Sequence, residues 1–228
     1  MKSQCLLVDG DDTLWENNIY FEQAIEEFLD LMIHDSFTRT ELRSVLDEIE
    51  TANCELYGYG AVSFVRSLHD CYRRVHAREA SEEHARVLTA LGDRILRQAP
   101  VIIPGVHETL SYLRPRHRLI LLTKGDFDEQ SAKVEASGLR GLFEDVVIVS
   151  EKTTETYTTV VEEAKADAER TWMIGNSPKS DIIPALTAGL RAVHVPHPDT
   201  WVLEQRPVPV EHERLLSLDR FADLVEHF

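Results

Sequence analysis

Near its start the chain runs apolar through Leu6-Leu7-Val8 and then stops at Asp9-Gly10-Asp11-Asp12-Thr13. An apolar run too short for a helix that ends in acids predicts a buried parallel strand emptying into an acidic loop. From Trp15 the period changes. Ile19, Ile25, Phe28, Leu29, Met32 and Ile33 keep one face apolar at helical spacing. Thr38-x-x-Glu41 predicts a capping box for a second helix through Leu42, Val45, Leu46 and Ile49. A turn-rich patch, Leu56-Tyr57-Gly58-Tyr59-Gly60, precedes a third helix through Val62, Val65, Leu68, Tyr72 and Val75. Ser81 opens a fourth, carrying Val87, Leu88, Leu91, Ile95 and Leu96. Four helices exceed a simple strand-to-strand crossover, so residues 15–98 are expected to form an inserted helical unit, hinged at Trp15 and between Pro100 and Gly105.

Beyond Val106 helical and strand patterns alternate. A helix through Val106, Leu110 and Leu113 precedes a strand Leu119–Thr123, a helix Phe127–Ser137 and a strand Val146–Val149. A helix around Tyr157, Val160, Val161 and Ala164 leads to a strand Thr171–Ile174, a helix Pro178–Ala188 and a strand Ala192–Val195. The end, from Arg214, reads as one more short strand and a helix, after a surface connector Arg206-Pro207-Val208-Pro209. Such alternation predicts an α/β fold with a doubly wound parallel sheet, built from residues 1–14 and 99–228.

Composition narrows the class. The 228 residues are 43% hydrophobic and 28% charged, as in an ordinary globular protein, and 40 acids against 24 bases give a net charge of −16. That balance disfavours nucleic acid or an anionic membrane as a partner, since both demand a basic face. No basic-then-apolar leader and no membrane-length apolar run is present, so a cytoplasmic location is expected. Cys5, Cys54 and Cys71 lack C-x-x-C spacing and read as reduced thiols.

Ligands of open α/β sheets gather at the carboxyl ends of the strands. Four of those ends carry reactive residues: Asp9-Gly10-Asp11, Thr123-Lys124-Gly125, Ser150-Glu151-Lys152, and Gly175-Asn176-Ser177-Pro178-Lys179-Ser180-Asp181. Read alone, the first three acids could merely cap a turn. Read together, the four ends suit phosphoryl transfer. Asp9 is the candidate nucleophile and Asp11 the candidate acid/base. Gly10, Thr123 and the N–H groups of Lys124 and Gly125 are candidates for holding the phosphate oxygens. Lys152 is placed to neutralise charge, and Asn176 and Asp181 to complete a magnesium sphere with Asp9 and Asp11. The chain has six lysines, and half of them, Lys124, Lys152 and Lys179, fall in these loops, which favours an anion site. The side chains of Lys124 and Lys179 are read as rim charges.

With these residues the chain resembles the haloacid dehalogenase superfamily, whose first motif, Asp-x-Asp-x-Thr after an apolar strand, matches Asp9, Asp11 and Thr13. Thr123 matches the second motif, Lys152 the third, and Gly175-Asn176 with Asp181 the fourth. The resemblance implies a Rossmann-like core, a helical cap of the C1 type, an aspartyl-phosphate on Asp9, and proton transfer by Asp11. It also implies magnesium held by Asp9, the Asp11 backbone carbonyl and the fourth motif. Asn176 stands where the family usually has Asp. Dehalogenases and phosphonate hydrolases of the family lack the second acid, so Asp11 speaks against both. The absence of lysine from residues 15–98 speaks further against a Schiff-base phosphonate hydrolase.

The expected activity is therefore magnesium-dependent hydrolysis of a small phosphorylated metabolite. The rivals are a phosphomutase on the same scaffold, a phosphoacceptor signalling protein and a binding module whose catalysis has lapsed. Candidates for specificity are Asn53, the Tyr57–Gly60 turn, Arg66, the stretch Trp15–Tyr20, and His197, Thr200 and Trp201 beyond another strand end. Whether the chain is a monomer or a homodimer is left open by the sequence.

Overall fold

A computed structural model describes residues 3–32, 37–209 and 212–228. Lys2, one of the six lysines, and Ile33, of the first apolar helical face, lie outside the described residues. The chain divides into two compact units, Met1–Asn18 with Ala99–Phe228, and Ile19–Gln98.

The first unit is built on β1 (Cys5–Val8), β2 (Arg118–Lys124), β3 (Asp145–Val149), β4 (Thr171–Gly175), β5 (Arg191–His194) and β6 (Leu215–Ser217). They form one six-stranded sheet in the order β3-β2-β1-β4-β5-β6, and all five pairings are parallel. The pleat explains why β1 is apolar at every position. Leu6 and Val8 point to one face, where they join Leu119, Leu121 and the helix α5 (Val106–Leu113). Cys5 and Leu7 point to the other, with Ile120, Leu122 and the apolar side of a helix α7 (Thr154–Glu163). The strand order reverses direction at β1, between β2 and β4, and the crevice of a doubly wound sheet lies at such a switch. The loops after β1 and β4 therefore meet there.

The second unit consists of α1 (Asn18–Leu31, whose first residue belongs to the sheet unit), α2 (Arg39–Tyr57), α3 (Ala61–His76) and α4 (Glu82–Leu96). Their buried faces form a separate core of Phe28, Met32, Leu46, Leu68, Tyr72 and Leu88, among others. The capping box closes as the sequence implies: Glu41 accepts the Thr38 amide at 2.7 Å while the Thr38 hydroxyl accepts the Glu41 amide at 3.3 Å. α2 continues to Tyr57, so only Gly58, Tyr59 and Gly60 remain as the turn before α3.

Two expectations need correction. The predicted helix Pro178–Ala188 is split into a π-helical turn, Pro178–Ile182, and α8 (Ile183–Thr187). Pro184 has no N–H to offer the Ser180 carbonyl four residues back, and the Tyr157 hydroxyl donates to that carbonyl instead, at 2.8 Å. The final helix is a 3₁₀ segment, Phe221–Glu226. Among the described residues no helix is long and apolar enough to cross a membrane.

Candidate active site

The first strand hands over to a tight loop. The Gly10 carbonyl accepts the amides of Thr13 and Leu14, and Asp12 takes a left-handed conformation with φ 58°. A Cβ on Gly10 would lie 2.8 Å from the Trp15 ring and 3.2 Å from Thr123 Oγ1, so this position needs glycine for close packing against the phosphate-oxygen candidate. Each acid of the loop finds a different compensation. Asp12 is the capping residue of the group: its Oδ1 accepts the amides of Asn17 and Asn18 at 2.8 and 3.0 Å, at the start of α1. Burial, then the neighbouring Asp11, pushes the Asp12 carboxyl up to about 7.

Asp9 is buried and turns into the crevice. Its Oδ1 lies 2.5 Å from Lys152 Nζ, and its Oδ2 accepts the Thr13 hydroxyl at 2.9 Å. The same ammonium lies 2.7 Å from Asp181 Oδ1, while Asp181 Oδ2 accepts the Ser177 amide at 2.9 Å. One cation thus sits between two carboxylates. Burial and then the charge of Asp181 push the Asp9 carboxyl up to about 7, against the pull of Lys152. Burial disfavours the Lys152 charge, but Asp181 and Asp9 outweigh it and hold the ammonium ionised. Gly175 is required by this geometry, because a Cβ there would lie 2.2 Å from Asp181 Oδ2.

Asn176 is oriented by its neighbours. Its Nδ2 donates to Thr200 Oγ1 at 3.0 Å, which leaves Oδ1 on the side of Thr13 Oγ1, 3.3 Å away, beside Asp9. The oxygens of Asp9, Asn176 and Asp181 are buried, and their negative charge exceeds what Lys152 supplies. That donor set suits a hard divalent cation with oxygen ligands. A second group, Asp12, Glu16 and His197, has ligand atoms within 4.8 Å of one another, but the Asp12 oxygens there already accept backbone amides.

Asp11 faces a different set of partners. Its carboxylate accepts Trp15 Nε1 at 2.7 Å, Gln130 Nε2 at 2.9 Å and Lys133 Nζ at 3.2 Å. Gln130 and Lys133 lie on α6 (Phe127–Ala136), and Gln130 also accepts the Thr123 hydroxyl at 2.9 Å.

The chain matches the family model for haloacid dehalogenase-like hydrolases over residues 4–189. It belongs to that family. Among solved structures it is similar to a haloacid dehalogenase-like family hydrolase from Xanthomonas campestris, at 28% identity and a TM-score of 0.84, covering 99% of this chain and 94% of that one. A HAD-hydrolase from Bacillus subtilis bound to magnesium shares 18% identity with a TM-score of 0.69, covering 100% and 99%. The L-2-haloacid dehalogenase from Xanthobacter autotrophicus shares 15% with a TM-score of 0.65, covering 98% and 97%. The last two likenesses speak for the fold alone. No curated protein matches by sequence.

Within this haloacid dehalogenase-like hydrolase, Asp9, Thr13, Lys152, Asn176 and Asp181 form one bonded cluster, and Thr123 reaches Asp11 through Gln130. Two readings from the sequence do not hold. The Gly125 amide donates to the Val149 carbonyl at 3.0 Å, extending the ladder between β2 and β3, so it is not available to a phosphate oxygen. Lys124 is not a rim charge. Its Nζ is partly buried, 2.7 Å from Glu204 Oε1 and 3.0 Å from Ser180 Oγ. Asn53 is buried between α2 and α3, donating to Ser67 and Asp70, both at 3.1 Å, and lines a cavity of the helical unit with Ile49, Asp70, Arg73 and Arg74. Lys179 remains half-exposed, 3.8 Å from Glu204, and Arg66 stacks over the exposed Tyr57 ring at 4.0 Å.

Sequence reasoning missed Gln130, Lys133 and Glu204, and placed Trp15 in a candidate stretch without foreseeing its bond to Asp11. A faint signal existed for Lys133, one of few lysines and three residues from Gln130 on a helix, but nothing in the spacing tells which loop that face meets.

Proposed function

We propose that this hydrolase is a magnesium-dependent phosphomonoesterase acting on a small phosphorylated metabolite. The observation that carries the reading is the second carboxylate. Asp11 is held by three donors beside the loop of Asp9, and a phosphate ester needs a proton on its leaving oxygen in a way that a halide does not.

An Asp9 oxygen attacks phosphorus while the bond to the ester oxygen breaks, and Asp11 delivers the proton that the departing alkoxide requires. Water then attacks the phosphorus of the Asp9 acyl phosphate, Asp11 takes a proton from it, and inorganic phosphate leaves with Asp9 regenerated. Thr123 donates to a non-bridging oxygen. Lys152 offsets the charge of nucleophile and phosphate, and its bonds to Asp9 and Asp181 fix both side chains. A divalent ion held by Asp9, Asn176, Asp181 and the Asp11 backbone would supply further charge neutralisation at the phosphate. The helical unit, in this reading, is a cap that limits water and selects the leaving group.

The test is turnover of p-nitrophenyl phosphate by wild type and Asp9→Asn, with and without magnesium, beside halide release from 2-chloropropionate. Phosphate release that needs both magnesium and Asp9 supports the reading. Halide release without phosphatase activity would replace it with a dehalogenase.

A further inference from the structure

We infer that Gln130 is a positioning residue that ties the acid/base Asp11 to the phosphate-oxygen site at Thr123. The inference rests on the phosphomonoesterase reading and extends the site to α6. Gln130 is 3% exposed, and its carboxamide is bonded in two directions. Oε1 accepts Thr123 Oγ1 at 2.9 Å, and Nε2 donates to Asp11 Oδ2 at 2.9 Å. A flipped amide would set a carbonyl against the Asp11 carboxylate, so charge fixes its orientation. The backbone closes over it as well, since a Cβ on Gly125 would lie 3.1 Å from Gln130 Nε2.

Two consequences follow from these bonds. Proton delivery depends on where the Asp11 oxygen points, and Gln130 sets that direction from the same atom group that meets the phosphate. A threonine hydroxyl donates only one proton, so a phosphoryl oxygen at Thr123 competes with Gln130 Oε1 for it. Arrival of substrate is thereby felt at Asp11 through a single buried amide.

A residue that acts through leaving-group protonation matters for poor leaving groups and little for good ones. The test measures kcat/KM for p-nitrophenyl phosphate, whose phenolate departs without a proton, and for glycerol 2-phosphate, whose alkoxide does not. The variants are Gln130→Met, which removes both bonds at similar size, and Gln130→Glu, which keeps an acceptor for Thr123 but sets a carboxylate against Asp11. The second variant keeps the inference testable if the first does not fold. Each is also made in an Asp11→Asn background, all in saturating magnesium. Both variants are expected to lose about tenfold or more extra kcat/KM on the glycerol ester, and that excess is expected to vanish once Asp11 is Asn. Equal losses on the two esters overturn the inference and leave the phosphatase reading intact. A wild type that hydrolyses neither ester overturns the reading and the inference with it.

Discussion

Replacing Lys152 with Met removes the ammonium that lies 2.5 Å from Asp9 Oδ1 and 2.7 Å from Asp181 Oδ1 while nearly preserving side-chain length. Breaking a buried ion pair by deleting one partner costs about 3–5 kcal/mol, because the charge left behind stays desolvated. Two carboxylates are left here, which pushes the cost to the upper part of that range. Protonation of Asp9, already raised to about 7, limits it from growing further. For a chain of this size each kcal/mol moves the melting temperature by about 2–4 °C, so a drop of about 8–20 °C follows at pH 8. Without Lys152 the Asp9 carboxyl rises still further above its unfolded value. Its contribution is then fully present below the unfolded pKa and lost as pH rises through the folded one, so the variant should be relatively less damaged at pH 5 than at pH 8. Scanning calorimetry in EDTA measures the loss, and the double variant Lys152→Met/Asp181→Asn should recover at least half of it. A drop under about 2 °C at pH 8 would refute the reasoning, since it would mean that the carboxylates are solvated or already neutral.

Glu50, buried in the helical unit with Oε2 unpartnered and its carboxyl pushed up to about 8 mainly by burial, favours folding below its unfolded pKa and loses that contribution as pH rises to 8. Glu50→Gln should therefore stabilise by up to roughly 4 kcal/mol at pH 8.5 and by little at pH 4, read from urea melts. Glu204 behaves in the opposite sense: burial opposes its charge, but Lys124, Ser177 and Ser180 hold it down at about 2. Its stabilisation is present above the unfolded pKa and lost as pH falls towards 2, so Glu204→Gln should remove about 3 kcal/mol of the stability lost between pH 5 and 2. Gly175→Ala would place a methyl 2.2 Å from Asp181 Oδ2, and an Asp181 displaced from Lys152 should lower turnover of p-nitrophenyl phosphate about a hundredfold and lower the melting temperature with it.

The sheet was legible because its strands carry short apolar runs, unbroken in β1 and spanning Leu119–Leu122 in β2 and Val146–Val149 in β3, and because turn or polar clusters break the pattern after them. The loops carrying Asp9, Lys152 and Asp181 were legible for the same reason: parallel strands deliver their carboxyl ends to one edge, whatever their separation in the chain. What the pattern concealed lies at right angles to it. Gln130 and Lys133 are polar residues on a helix, indistinguishable in sequence from a solvated face, and only tertiary placement turns them onto Asp11. The fate of the Gly125 amide depended on how far β3 pairs along β2, which periodicity does not specify. Lys124 was misread because its partner, Glu204, lies in a 3₁₀ turn, Val202–Glu204, beyond β5 with no periodic signal of its own. The π-helical turn before α8 had one visible cue, Pro184, whose effect depends on Tyr157 from another helix.

The central claim is that Asp9 carries the phosphoryl group between substrate and water. Acid quenching during turnover of a phosphate ester, followed by proteolysis and mass spectrometry of the peptide around Leu7–Thr13, tests it directly. An acid-stable, hydroxylamine-labile phosphate on Asp9, absent from Asp9→Asn, is the predicted result. Steady turnover with no label on that peptide, or with label on another residue, would contradict it.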